Sequence, residues 1–393
     1  MSPPSDVRVS GPLAAYAAGF CRRLATGHYT PLSAANQVRL MAHLSSWLEL
    51  QRLEPRELSE AAIGRYLRAR RRAQYTRWRS RRGLAPLVGY LRKMGVVPDA
   101  APSTPKTAAE RLVVEYVDYL RVDRGLAETT IRSRELVAQE FMSGWSFVAR
   151  DVTRFMLTKV GRYRPGTAGG VATAVRSLLR FMHLSGHIEW PLTGAVPKLA
   201  RWRLAGLPRG LEPTQVDALL ASCDRRTAVG RRDYAMLLLL ARMGLRSCEV
   251  ARLELADIDW RAGELIVHGK GGRRDRMPLP KDVGDAIVAY LRRGRPKCEA
   301  RAAFVADRAP HQSLQSTAVT ARVAEASKRA GGGRVGAHRL RHTAATQMLR
   351  RGGSLAEIGQ VLRHRHVATT AIYAKVDREA LRTIARPWPR SDA

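Results

Sequence analysis

The stretch GAHRLRHTAATQML, Gly336 to Leu349, sets two histidines and two arginines within five residues. Read as a helix opening near His338, it has an apolar arc of Leu340, Ala344, Ala345, Met348 and Leu349. His338 and Arg341 project into that arc, while Arg339, His342, Thr346 and Gln347 take the wetter side. An arginine driven into a half-buried cleft is costly unless an anion meets it there, so the pattern predicts an anion site. Three further islands carry groups of the same kind. GLRSCEV (Gly244–Val250) sets Arg246 just after a helix break, with Glu249 one turn later. GKGGRRDRMPLP (Gly269–Pro280) sets Lys270 at a turn, and LRHRHVATTAIYAKV (Leu362–Val376) sets His364 nine positions before Tyr373.

These residues need elements to hold them. RRDYAMLLLLARMG (Arg231–Gly244) reads as a buried helix stopped by a C-terminal glycine. ELIVHG (Glu264–Gly269) and RDRMPLP (Arg274–Pro280) read as two strands around the KGGR turn, a β-hairpin with Lys270 at its tip. Helices follow over about 316–330, 338–350 and 355–362, with a short one carrying Tyr373. The expected fold is mainly α with a small antiparallel β-sheet. Pro/Gly-rich or charged breaks at VVPDAAPSTPKT and RWRLAGLPRGLEP divide the chain into 1–104, 105–206 and 207–393. The first two segments read as all-helical and as loose copies of each other. LVGYLRKMGVV (Leu87–Val97) matches LLRFMHLSGHI (Leu178–Ile188), each an amphipathic helix ending at glycine. LSEAAIGRYL and VTRFMLTKV each open with a hydroxyl residue suited to an N-cap, and Trp47 and Trp145 close similar helices.

Length and composition fit two or three domains, with 393 residues of which 45% are hydrophobic. The 68 Lys+Arg against 34 Asp+Glu leave a net charge of +34, which favours a polyanionic partner, nucleic acid first. Only 9 of the basic residues are lysine. Codon bias can choose arginine over lysine, but it does not create a surplus over acids. The densest run, RARRRAQYTRWRSRR, has no acidic interruption. Its Arg68, Arg70, Arg71, Arg72, Arg77, Arg79, Arg81 and Arg82 are expected to fix DNA phosphates, with Tyr75 and Trp78 packing against sugar or base. Cys21, Cys223, Cys248 and Cys298 are scattered and form no CxxC pair, so neither disulfide framework nor zinc site is indicated. No apolar run approaches the roughly 18–20 residues of a membrane span. The segment near the start lacks a signal-peptide flank. The expectation is a soluble, cytoplasmic protein.

Taken in order, the islands resemble the tyrosine recombinase family, the phage integrases and their relatives. They run Arg246, a hairpin Lys270, the H-x-x-R-H of His338, Arg341 and His342, then L-x-H with His364 and I-Y with Tyr373. The resemblance is strong over roughly 210–385, looser over 105–200, and says little about 1–100. It implies a helical SAM-like core-binding domain over 105–206, a catalytic domain over 207–393, and an extra helical DNA-binding domain over 1–104. It makes Tyr373 the nucleophile that attacks a DNA phosphodiester, leaving a 3′-phosphotyrosine and a free 5′-hydroxyl. Arg246 and Arg341 then clamp the phosphate, since forked guanidiniums suit a pentacoordinate transition state. His364 donates a further hydrogen bond, and His338 serves as base, or as acid in reverse. The start of the His338 helix also favours negative charge.

Glu249 and His342 read as supporting residues, and Arg273 and Arg363 as DNA contacts. Lysine at the hairpin tip of so arginine-rich a chain points to proton delivery, so Lys270 is assigned as the acid for the departing 5′-oxygen. No metal, cofactor or ATP is implied, because the phosphotyrosine stores the bond energy. The implied partners are double-stranded DNA with core sites and further copies of the chain in a tetrameric synapse, coupled through an amphipathic tail at Arg378–Ala385. Companion recombinases remain open. The activity implied is site-specific recombination or integration for a mobile element. The alternatives are a type IB topoisomerase and a non-catalytic DNA-binding regulator. The family often has glycine where this chain has Arg363.

Overall fold

Ala235–Ala241 is buried on every side, and this run forms the inner part of helix α10 (Ala228–Arg242). The Thr227 side chain caps its start, accepting the Gly230 N–H at 3.0 Å. Its end is fixed by Gly244, whose φ of +63° only glycine adopts without strain. The computed structural model describes residues 7–98, 107–144, 146–163, 165–199, 210–269, 272–364 and 366–376.

Around α10 pack α9 (Pro213–Ala221), α11 (Ser247–Arg252), α12 (Lys281–Arg293), α13 (Ser316–Arg329) and α14 (Ala337–Arg350). Two short helices, α15 (Leu355–Val361) and α16 (Val367–Thr370), lead into a 3₁₀ turn, Ala371–Val376, that carries Tyr373. The sheet is three-stranded and antiparallel in the order β1 (Ile258–Asp259), β2 (Glu264–His268), β3 (Arg274–Pro278). Leu265 faces Met277 across the β2–β3 pair, and Leu265, Val267 and Met277 are all buried. The hairpin is as the sequence reading has it, while β1 is too short to show a pattern of its own.

Among the described residues three large cores are separate, beside a small one around Tyr373. One surrounds α10; one, containing Phe20, Met41, Tyr66 and Leu87, lies before residue 99; and one, containing Tyr116, Phe141, Phe155 and Leu179, lies between 107 and 199. Chain contacts group these into two compact units, Met1–Asp99 with Gly206–Ala393, and Ala100–Ala205. The core before residue 99 is built from α1 (Ala17–Thr26), α2 (Pro31–Leu50), α3 (Glu60–Arg72) and α4 (Arg81–Lys93). Unit Ala100–Ala205 has four helices as well: α5 (Ala108–Arg121), α6 (Glu128–Met142), α7 (Ala149–Val160) and α8 (Pro165–Leu184). Gly95 and Gly186 stop α4 and α8 with φ of +69° and +71°, matching the expected parallel. Ser59 caps α3, accepting the Ala62 N–H at 3.3 Å. The other expected cap fails. Helix α7 starts at Ala149, ahead of Thr153, whose hydroxyl turns inward to the carbonyls of Ala149 and Ala195, each at 3.0 Å. Trp145 lies outside the described residues.

Among the described residues the cysteines form no disulfide. Among the described residues no helix is long and apolar enough to cross a membrane.

Gly244 is the tightest backbone position near the expected site. A Cβ there would stand 2.6 Å from Leu362 Cδ2, on top of the left-handed φ. Gly244→Ala is therefore expected to destabilise the protein by at least about 1–2 kcal/mol from the backbone alone. The check is the midpoint of denaturant unfolding, and an unchanged midpoint would refute the constraint.

Candidate active site

Helix α10 delivers the chain through Gly244 to Arg246, the residue preceding α11. Glu249, one turn into α11, accepts the Arg246 backbone N–H at 2.8 Å and its Nη1 at 2.6 Å. The Glu249 carboxylate is 2% exposed, while the Arg246 side chain is 38% exposed. Arg246 is thus held from below with its guanidinium still reaching solvent. Burial pushes the Glu249 carboxyl up, but the charge of Arg363 and the bonds from Arg246 outweigh it and hold it below the usual range.

Arg341 lies on the inner face of α14 and is 2% exposed, as the helical pattern predicts. Its Nη1 donates to the Gly244 carbonyl at 2.5 Å and its Nη2 to the Leu362 carbonyl. Burial, then the neighbouring Arg246, lower its pKa to about 10, so it remains a cation at neutral pH. His338 departs from the expectation. It is exposed, although Ala337 before it and Leu340 after it are buried in the core around α10, so its side chain leaves the inner face that the wheel assigns to it. Thr346, expected on the wet side, is 8% exposed and packed inward.

Tyr373 is 2% exposed in a small core with Ala345, Ile358 and Leu362. Burial raises its phenol pKa, and the charge of Arg341 opposes this. The hydroxyl lies 2.9 Å from His342 Nδ1. The His342 ring meets the tyrosine edge-on with centroids 5.5 Å apart, and His338 lies edge-on to His342 at 4.4 Å. On the other side the His364 ring runs parallel to the tyrosine at 6.4 Å, fixed by a 2.7 Å bond between its Nδ1 and Thr370 Oγ1. Burial first, then nearby His338 and Arg341, lower His342 to about 4; burial with Arg341, Arg246 and Arg363 does the same for His364. His338 is also lowered, by desolvation and then by Arg341 and Arg246. All three imidazoles are neutral at neutral pH. The arrangement combines a phenol, two arginines and three neutral imidazoles, a set suited to holding an anion and moving a proton.

A model of the phage integrase family matches residues 209–380, the span that carries every one of these groups. The chain is 41% identical to y4rA of Sinorhizobium fredii, described as an integrase/recombinase, over 96% of this chain and 95% of that one. The chain belongs to the phage integrase family of tyrosine recombinases. It is also 30% identical to the tyrosine recombinase XerA of Pyrococcus furiosus, over 70% of this chain and 93% of that one. Its fold is similar to that of the XerH site-specific recombinase bound to palindromic difH substrate, with a TM-score of 0.57 and 18% identity over 73% of this chain and 91% of that one. A lambda integrase dimer bound to a COC′ core site matches with a TM-score of 0.54 and 16% identity, over 80% and 90% of the two chains.

Against that family background two expected DNA contacts need correction. Arg363 stands where the family often has glycine, and its φ of +55° gives the reason glycine suits the position. Its side chain is 4% exposed and turns inward. Nη2 donates to Glu249 Oε2 at 2.5 Å, and Nη1 contacts Met277 Sδ on β3 and donates to the Val361 carbonyl at 3.1 Å. Arg70, in the basic run, is 4% exposed. Its guanidinium lies 4.1 Å over the Tyr75 ring and donates to the Tyr66 hydroxyl at 3.1 Å, so it pins the loop instead of facing DNA. Tyr75 is thereby covered on one face, and Trp78 packs against the core. Arg68, Arg71, Arg72, Arg77, Arg79, Arg81 and Arg82 are exposed, as is Arg273, which pairs with Asp275 at 2.6 Å. Arg81 pairs with Glu60 at 2.7 Å, an acid the linear run does not reveal. Lys270 lies outside the described residues, as does Arg378–Ala385. Thr370, which orients His364, was not singled out by the sequence reading; its only signal is its place six residues after the histidine.

The Arg363–Glu249 pair is buried, and losing one partner of such a pair costs about 3–5 kcal/mol. Arg363→Gly would recover about 1–2 kcal/mol of left-handed backbone strain. The net expectation is a loss of roughly 1–4 kcal/mol, with Arg363→Gly and Glu249→Gln together costing less than the sum of the two. Denaturant unfolding of the four proteins checks this; a more stable Arg363→Gly protein, or strictly additive losses, would contradict it.

Proposed function

We propose that this recombinase cuts and rejoins double-stranded DNA at specific core sites, through a covalent bond between Tyr373 and a 3′-phosphate, on behalf of a mobile element. The observation that supports this most directly is the phenol of Tyr373 among Arg246, Arg341, His342 and His364, coupled to a buried carboxylate that fixes one of the arginines. In the reaction the Tyr373 oxygen bonds to phosphorus and the bond to the 5′-oxygen breaks. Arg246 and Arg341 offset the charge that grows on the non-bridging oxygens. His364 presents an N–H donor to the same phosphate, and Lys270 protonates the departing 5′-oxygen. Because the phosphotyrosine conserves the bond, a second 5′-hydroxyl can reverse the step and exchange strands.

Burial of Tyr373 adds a condition. The phenol is 2% exposed, so docking of a phosphodiester requires neighbouring side chains to open a path to it while the hydroxyl stays beside His342. The three-part division proposed for the chain gives 207–393 the chemistry, 105–206 the grip on the core site, and 1–104 a wider grip through its exposed arginines. Several copies would act together on DNA in the cytoplasm, four of them in the complete synapse.

A pool of duplexes with a randomised core and a nick beside it supplies the test. Wild-type protein should become trapped on a subset as an SDS-resistant adduct, and sequencing that subset gives the core site. Tyr373→Phe should bind the selected duplex normally and form no adduct; an adduct with the phenylalanine protein would show that another residue attacks.

The basic loop is tested on the same duplex. Log affinity should fall with log salt by roughly 0.9 for each phosphate neutralised. Changing Arg72, Arg77, Arg79 and Arg82 to glutamine should make that slope shallower. An unchanged slope would mean that the loop is a solvated surface.

A further inference from the structure

The family reading assigns the tyrosine's proton to His338, yet the group in contact with the hydroxyl is a different histidine. We propose that His342 is the base that takes the Tyr373 proton, through its Nδ1. This rests on Tyr373 being the nucleophile. Among the described residues His342 is the hydrogen-bond partner of that hydroxyl, at 2.9 Å, while His338 stands one turn back on α14 against the far side of the His342 ring. The direction of the bond follows from burial. A phenol this enclosed keeps its proton, and if Nδ1 were the donor, that proton would be left without an acceptor at a cost of about 1–3 kcal/mol. The hydroxyl therefore donates, Nδ1 accepts, and the imidazole hydrogen sits on Nε2.

The charges around His342 govern when it can act. On its own helix it meets His338 and Arg341; from the Ala371–Val376 turn it meets Tyr373. Beyond these, Arg246, Arg363 and Glu249 act on Arg341, and His364 lies across the tyrosine ring. Burial first, then surroundings that are cationic on balance, hold His342 at about 4, too weak a base for a phenol. An anionic phosphodiester seated between Arg246 and Arg341 offsets that charge and raises the basicity of His342. Proton transfer is then favoured only with DNA in place. As the Tyr373 oxygen bonds to phosphorus, its proton passes to Nδ1; on religation the departing phenolate takes the same proton back.

His342→Asn sets an amide oxygen close to the position of Nδ1, so the hydrogen bond survives but the basicity does not. Single-turnover cleavage of the selected nicked duplex should slow by about 100-fold or more, with DNA binding unchanged. The wild-type rate should fall on the acid side as His342 takes up a proton. In His342→Asn that limb should vanish and the rate should climb with hydroxide. Replacing Tyr373 by the more acidic 3-fluorotyrosine should narrow the deficit. A deficit equal for both phenols at every pH would reduce His342 to a positioning residue, and no deficit would return the role to His338. His338→Asn, at an exposed position, decides the matter even if the His342 variant folds poorly. It should keep the wild-type acid limb, and loss of that limb would overturn the proposal. If wild type itself forms no adduct, the nucleophile reading fails instead.

Discussion

The guanidinium of Arg341, 2% exposed, meets the carbonyl oxygens of Gly244 and Leu362. Among the described residues no carboxylate lies within ion-pair distance of it. A charge in that position is tolerable only if the backbone supplies oxygens at fixed places, so two stretches of chain must converge on α14. The loop after α10 has to turn back sharply enough to aim a carbonyl inward, which explains the left-handed Gly244. Leu362 has to close from the other side, and its side chain fills the space a Cβ at 244 would occupy. The same convergence brings Arg246, His364 and Tyr373 to one place. A single buried cation thus ties together islands more than a hundred residues apart in sequence.

Glu249 supplies the counterweight. It is the one carboxylate that bonds to both Arg246 and Arg363, and burial alone would favour its neutral form. Two cations against it keep it charged, and being charged it fixes both of them. The arrangement leaves the cluster with more positive than negative charge, which adds to burial in depressing His338, His342 and His364. Such a surplus is unfavourable for folding and favourable for an anion, the usual opposition between stability and a preorganised site. Arg363 shifts that balance in this chain. Where glycine would relax the backbone, arginine accepts the strain of φ +55° and adds a second buried partner for Glu249, reaching Met277 on the hairpin as well.

Much of this was legible in the sequence because it depends on local pattern. Helix α10 and the hairpin follow from hydrophobic runs and turn residues, and the inward direction of Arg341 follows from its place on the wheel. What failed depends on partners distant along the chain. Whether His338 or His342 meets the tyrosine is set by how the Ala371–Val376 turn crosses α14, and a wheel drawn for one helix holds no information on that. Arg363 and Arg70 look like their exposed neighbours in sequence. Only the folded chain shows that one finds Glu249 and the other the ring of Tyr75. The cap expected at Thr153 failed for a related reason, since a hydroxyl in mid-helix can bond to the preceding turn as readily as a cap bonds forward.

Burial sorts the arginines into two kinds with different physics. Arg341, Arg363 and Arg70 are enclosed, bonded to fixed acceptors and shielded from solvent ions. Their interactions with those acceptors are screened little and change little with salt. The arginines of the 68–82 run are exposed except for Arg70, and their attraction for a polyanion is long-ranged and screened within about 8–10 Å at physiological ionic strength. Enclosed and exposed arginines are consequently separate sets of charges. Arg70 joins the two, for its buried guanidinium holds the loop that presents the exposed set, donating to the Arg77 carbonyl at 3.4 Å while Arg71 donates to that of Arg79 at 3.2 Å. Arginine is suited to both tasks for one reason: its planar, delocalised charge stacks on tyrosine and forks onto carbonyls in the interior, and forks onto phosphates outside. Lysine, a compact and strongly hydrated charge, would serve only the second, which is a structural ground for the chain's preference for arginine.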